Sequence, residues 1–211
     1  MIARVITIAT LPQSITAARQ CIESAERFGL KVEPHFALTP ADDPRGRFRR
    51  LGWPTTKFEH NRYSRPLPCM ACFLSHAQLW LECVATREPV IICEHDCHFV
   101  APLPDLRLRA YLVNLARPSF GKFKQPSHGI GPLVSKPHLP GATCYFVQPQ
   151  GARELLRLAA TEAEPTDVFL SLKRFPWIRE AFPWPAECRE TFTSIQREAG
   201  CAAKHRPVMI V

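Results

Sequence analysis

The sequence predicts an α/β fold: a mixed sheet flanked by helices, in a single domain over residues 1–211. Three observations carry this reading. Short apolar runs of strand character alternate with stretches of helical period from the N-terminus onward. Hydrophobic residues make up 46% of the 211, enough to bury a core. Prolines number 21 against 9 glycines, which argues for stiff extended connections and excludes a long helical bundle.

Val5 to Ala9 is a short apolar strand. Ser14 opens a helical stretch, Ile15 to Phe28, with Ala18, Cys21, Ile22 and Ala25 on one face and Gly29 ending it. Lys31 to Leu38 returns as a strand, so the chain begins strand-helix-strand, as a parallel pair requires. Thr39 to Pro68 reads as polar and irregular. Cys69 to Thr86 is a helix, with Ala71, Leu74, Leu79 and Cys83 at helical spacing. Pro89 to Cys93 is a buried strand that stops abruptly at Glu94-His95-Asp96-Cys97-His98. Residues 102–140 read as an irregular insertion, with a modest helical signal over Leu106 to Leu115. Gly141 to Val147 is a strand and Gln150 to Ala160 an amphipathic helix. Pro165 to Phe175 is a short helix, followed by a loop-rich tail.

The 27 basic residues exceed the 19 acidic ones, for a net charge of +8, which favours an anionic partner. Most of that surplus is local. Arg45, Arg47, Arg49, Arg50, Lys57, Arg62 and Arg65 face the single acid Glu59, which leaves +6 between residues 45 and 65. Trp53, Phe58 and Tyr63 are interleaved with them. The segment reads either as a solvated surface loop or as an anion-contacting platform with stacking aromatics.

Nine cysteines is an odd number and a poor match to a short, evenly paired secreted framework. Arg4 precedes only the run Val5 to Leu11, stopped by Pro12, which reads as a core strand and not as a secretion signal. No apolar stretch approaches the ~20 residues of a bilayer span. The expected location is the cytoplasm, with most cysteines acting as small buried hydrophobes.

The sharpest polar cluster follows the strand at 90–93. Ligands of open α/β sheets bind beyond the carboxyl ends of strands. Glu94 and Asp96 offer hard oxygens suited to Mg²⁺ or Mn²⁺, although capping or pairing with nearby arginines would use the same residues. Cys69, Cys72, His76, Cys93, His95, Cys97 and His98 form a rival set from which a zinc site could be drawn.

Several blocks, in order, resemble glycosyltransferase family 25, the lipopolysaccharide and collagen galactosyltransferase group. Cys72-Phe73-Leu74-Ser75-His76 with Leu79-Trp80 is similar to its helix motif. The strand ending Glu94-His95-Asp96 is similar to its Glu-Asp-Asp motif. Gly141 to Val147, Pro149 to Leu156 and Pro165 to Leu170 look like its downstream segments. Two departures stand out. His95 replaces the middle acid, and Thr10-Leu11-Pro12-Gln13 lacks the family's Asn-Leu-x-Arg pattern.

The resemblance implies a GT-A-like, Rossmann-type fold and inverting transfer from a nucleotide-sugar donor, UDP-galactose or UDP-glucose, with Mn²⁺ or Mg²⁺. It implies metal ligation by Asp96 and Glu94, and donor contacts at Thr7, Thr10, Ser75, His76, Glu94 and His95. Asp96 and Asp167 become the catalytic acids, with Asp167 taking the acceptor proton; its competing role is a first-turn acid of a helix. Ser75 and His76 could equally be a buried hydrogen-bonded pair, while Trp80 reads as core and Gly151-Ala152 as a close-packing step. The anion-binding arginines Arg45, Arg47, Arg49, Arg50, Arg62 and Arg65 suit a phosphorylated saccharide or DNA bearing a hydroxymethylated base. The alternative is a non-catalytic nucleic-acid-binding protein on a degenerate scaffold, with His95 marking the lost activity.

Overall fold

The structure is a computed structural model that describes residues 1–106, 110–189, 192, 194–196 and the backbone of 209–210. Its centre is a seven-stranded mixed sheet. Strand β1 (Ile2–Thr7) pairs in parallel with β2 (Glu33–Phe36) on one side and β3 (Val90–Glu94) on the other. Next to β3, β8 (Cys144–Val147) runs antiparallel and pairs antiparallel with β5 (Leu112–Asn114). Beyond it lie β9 (Arg179–Phe182), parallel to β5, and the antiparallel edge strand β7 (Gly129–Pro132). Two small ribbons complete the strands. β4 (Cys97–Phe99) pairs with β10 (Ala186–Cys188), and β6 (Lys122–Phe123) with β11 (Met209–Ile210).

The period-two alternation of strand side chains divides the interior into two cores. Val90 and Ile92 of β3, with Tyr145 and Val147 of β8, face α4 (Pro66–Thr86) and α5 (Pro149–Glu162). Ile91 and Cys93, with Cys144 and Phe146, face α1 (Pro12–Glu26). Thus α1 leaves β1 over one face and α4 enters β3 over the other. That change of side opens a crevice beyond the carboxyl ends of β1 and β3, where α/β sheets place their ligands.

Several boundaries move for local reasons. Helix α1 starts at Pro12, whose fixed φ suits a first turn. Ser14 is instead buried within it and accepts a hydrogen bond from Ile8 N at 2.9 Å, which fixes the β1–α1 turn.

Residues 39–68, expected to be irregular, contain α2 (Pro44–Leu51) and α3 (Thr56–Glu59). Asp43 accepts from Gly46 N at 3.0 Å to cap α2, and Gly52 ends it in the left-handed region at φ +68°. Phe48 and Phe58 are fully buried against Phe73 of α4, with centroids 5.9 and 5.6 Å away, and Trp53 packs there too. Each such aromatic pair adds about 0.5–1.5 kcal/mol beyond area burial. Phe58 therefore belongs to the core and Trp53 packs half-buried against it, so neither is an exposed stacking surface; Tyr63 stays exposed.

Residues 102–140, expected as an insertion, supply β5 and β7 to the main sheet and β6 to a ribbon. The helical signal near Leu106 to Leu115 gives way to strand at 112–114; residues 107–109 lie outside the described set. By length and composition alone α4 is apolar enough to cross a membrane, but most of it is buried inside the fold. Its apolarity has another use here, since it packs against the sheet, α2, α3 and α5. Trp80 is fully buried, as expected. A Cβ at Gly151 would collide with the Tyr111 carbonyl, so glycine there permits the close approach of α5 to the chain before β5.

Candidate active site

Glu94 closes β3 at the crevice, and α4 supplies what holds it. Nε2 of His76 lies 2.8 Å from Glu94 Oε1, and the Cys72 thiol donates to the same oxygen at 3.5 Å. On the other side of the imidazole, Nδ1 lies 2.8 Å from Tyr145 Oη. The indole N–H of Trp80 donates to that hydroxyl at 2.9 Å. Indole N–H is a donor and nothing else, so the Tyr145 hydroxyl accepts from Trp80; with the Glu94 carboxylate accepting at Nε2, a neutral imidazole takes the Tyr145 hydrogen bond at Nδ1. This leaves Nε2–H to donate to Glu94. The relay Trp80, Tyr145, His76, Glu94 fixes one tautomer and one carboxylate orientation. Burial alone would raise the Glu94 carboxyl; the His76 hydrogen bond, with His95 and Cys72, outweighs it and holds it below its usual range. Burial pushes the Tyr145 hydroxyl well up, keeping it a proton donor.

Glu94 and His95 form a wall shared by two cavities. One, of 430 Å³, lies beyond β1 and β2 and is lined by Thr10, Leu38, Arg65 and Ala71. The other, of 350 Å³, is lined by Asp96, Tyr63, His138, Thr143 and Asp167. Both fall in the size range of about 300–1,000 Å³ usual for small-molecule sites. His95 stacks flat on Phe192, with centroids 4.9 Å apart and planes within 5°. Asp96 accepts from the Cys188 thiol at 3.2 Å.

Asp167 sits in the first turn of α6 (Thr166–Phe169) and accepts from Val168 N at 3.0 Å. Burial raises its carboxyl above the ordinary value, while His138 and the backbone N–H groups of Val168 and Gly141 oppose the shift. The first-turn and cavity-facing descriptions of Asp167 thus hold together.

The other expected site residues are placed as follows. Ser75 is fully buried; it donates to Ala71 O and accepts from Leu38 N, both at 2.9 Å, which ties the chain after β2 to α4. Ser75 and His76 therefore stand behind the cavity wall. Thr7 is buried and donates to Val5 O at 3.1 Å, whereas Thr10 lies exposed at the rim of the first cavity. Of the six arginines, Arg65 alone lines either cavity, and its guanidinium donates to Ser194 O. Arg45 pairs with Glu59 at 3.1 Å, Arg47 donates to Asp42 O at 2.8 Å, and Arg50 reaches Asp43 at 3.5 Å. Arg62 lies 5.5 Å over the Tyr63 ring, and Arg49 is on the last turn of α2.

The rival zinc set divides between the two faces of the sheet. Cys72, His76 and Glu94 gather on one face, Cys93 and Cys97 with Cys21 on the other. The sequence pattern assigns no role to Tyr145, and the Cys72 thiol enters it only as a member of the rival zinc set. The signal for Tyr145 was its place in a strand opposite the Glu94 strand.

The model of "Glycosyltransferase family 25 (LPS biosynthesis protein)" matches residues 55–108. Those residues carry the family 25 signature. The matched span is about a quarter of the chain and holds α3, α4, β3 and β4, hence Cys72, Ser75, His76, Glu94 and Asp96. The family 25 match supports a glycosyltransferase activity in general, with a link to lipopolysaccharide biosynthesis, and agrees with the mixed α/β architecture. No curated protein matches the chain.

Proposed function

We propose that the chain transfers a hexose, with inversion, from UDP-galactose or UDP-glucose to a hydroxyl of an anionic saccharide such as a phosphorylated lipopolysaccharide core. The observation that carries this reading is the Glu94–His95 wall between two cavities, with Asp96 and Asp167 facing the same one. The 430 Å³ cavity beyond β1 and β2 takes the nucleotide, with Arg65 as its cation. The donor sugar passes the Glu94–His95 wall into the second cavity, where the acceptor approaches. The acceptor oxygen attacks the anomeric carbon, its proton goes to the Asp167 carboxylate, and the bond to the nucleoside diphosphate breaks. The raised Asp167 carboxyl suits a base that must hold a proton during transfer.

The donor set fits a hard cation in part. Asp96 and the second oxygen of Glu94 offer carboxylate oxygens, while Glu94 Oε1 is already engaged by His76. Asp96 and Glu94 would hold Mn²⁺ or Mg²⁺, which would neutralise charge on the departing diphosphate. A reducing cytoplasm suits the eight free cysteines among the described residues.

The saccharide acceptor is preferred over DNA because Arg45, Arg47 and Arg50 are engaged locally and line neither cavity. The test incubates the protein with Mn²⁺ and each UDP-sugar, offering phosphorylated core oligosaccharide and hydroxymethylated DNA in parallel, with mass spectrometry of both. A hexose added to the oligosaccharide, and lost with Asp96→Ala, supports the reading. Hexose on DNA moves the acceptor. Neither donor turnover nor donor binding returns the chain to a non-catalytic role.

A further inference from the structure

The second core, across the sheet from the site, contains an unusual convergence. Cys21 of α1, Cys93 of β3, Cys97 of β4 and Cys144 of β8 are each at most 2% exposed. The sulfurs of Cys21, Cys93 and Cys97 all lie within 4.8 Å of one another. Cys144 Sγ lies beside that group of three, 3.6 Å from Cys93 Sγ. Scattered buried cysteines need only fill space, each against its own carbon neighbours. Here the sulfurs of four separate elements turn toward one another.

We propose that these four cysteines form a structural tetrathiolate site for one Zn²⁺. Four sulfurs at about 2.3 Å from a tetrahedral Zn²⁺ stand about 3.8 Å apart, close to the observed 3.6 Å between Cys93 and Cys144. An iron–sulfur cluster sets several atoms between its thiolates and needs them farther apart. All-sulfur donors select a soft or borderline ion over Mg²⁺ or Mn²⁺. Binding forms four Zn–S bonds and releases the thiol protons to solvent.

The site also has a use. Cys93 and Cys97 bracket Glu94-His95-Asp96, and Cys144 follows Thr143, whose carbonyl accepts from Glu94 N at 2.9 Å. An ion on that face clamps the corner that presents both carboxylates to the opposite cavities. The four cysteines lie outside the proposed catalytic machinery.

The test purifies the full chain under reducing conditions and measures metal content, zinc release by a mercurial reagent, and the visible spectrum after Co²⁺ replacement. One zinc per chain and the intense bands of a tetrahedral thiolate Co²⁺ site are expected. Cys21→Ser and Cys144→Ser should lower zinc affinity beyond the roughly 10–100-fold typical of losing an outer-shell partner. Cys83→Ser, at a buried cysteine elsewhere in the fold, should retain the metal. Should the serine variants fail to fold, the wild-type stoichiometry and cobalt spectrum decide. Protein that is folded, metal-free and silent to Co²⁺ overturns the proposal. So does an intact mass lower by two hydrogens, which would mark a Cys93–Cys144 disulfide.

Discussion

Tyr145 Oη lies 2.8 Å from His76 Nδ1, and that one contact decides which imidazole nitrogen carries the proton facing Glu94. Tyr145→Phe removes it and strands the buried Trp80 indole N–H. The expected cost is about 1–3 kcal/mol of stability, since a buried donor is left unmet. Chemical denaturation reads that loss. Donor KM should rise as well, because Glu94 loses its fixed orientation; an unchanged KM would reduce the relay to a structural role.

Asp167 carries a raised carboxyl, so two opposite effects are expected of Asp167→Asn. Transfer should fall by about 10²–10⁴-fold, the usual worth of a positioned base. Wild-type activity should rise with pH through a midpoint above the ordinary aspartate value, and this limb should vanish in the variant. For stability the sign is reversed. A carboxyl raised in the fold disfavours folding once ionised, so Asp167→Asn should melt higher than wild type at neutral pH. The gap should close below the unfolded-state value, where both forms are neutral.

Glu94 is the converse case. Its folded value is depressed, so its stabilisation is fully present above the unfolded-state value and is lost as pH falls through the folded one. Glu94→Gln should therefore flatten the acid limb of the stability curve. Melting temperatures across that acid range check it; a parallel shift at every pH would deny the ionic contribution.

Gly151→Ala tests packing away from the site. Its Cβ meets the Tyr111 carbonyl, and backbone yields poorly. A loss of about 1–3 kcal/mol is expected from overpacking, read by denaturant titration, with donor affinity maintained.

Arg65 is the cation lining the proposed nucleotide cavity. Arg65→Ala should weaken UDP binding by about tenfold, in line with losing one charged hydrogen bond. Isothermal titration with UDP measures it, and unchanged affinity would remove Arg65 from the donor side.

The strands and helices that were readable are those with a strong local pattern. Val90 to Cys93 is apolar without interruption because both faces of β3 are covered, and Ala71, Leu74, Leu79 and Cys83 mark α4 by their spacing. α2 was hidden by its charge: four arginines within Pro44–Leu51 masked the capping Asp43 and terminal Gly52. Residues 102–140 resisted reading because distant partners order them. Glu180 of β9, fully buried, accepts from Val134 N at 2.6 Å, Ser135 N at 2.8 Å and Ser135 Oγ at 2.6 Å. At the site, the motif order marked Glu94, Asp96 and Asp167, and all three line one cavity. The relay was out of reach, since Tyr145 and His76 stand 69 positions apart and meet only across the sheet.

The alternation along β3 leaves that strand no intermediate setting. A slip of one position would send Ile92 to the thiol side and Cys93 among the aromatics, and would carry Glu94 away from the imidazole that orients it. The carboxylate's aim is thus checked by the same test that the whole interior must pass, and a chain that folds at all folds with its acid pointing the right way.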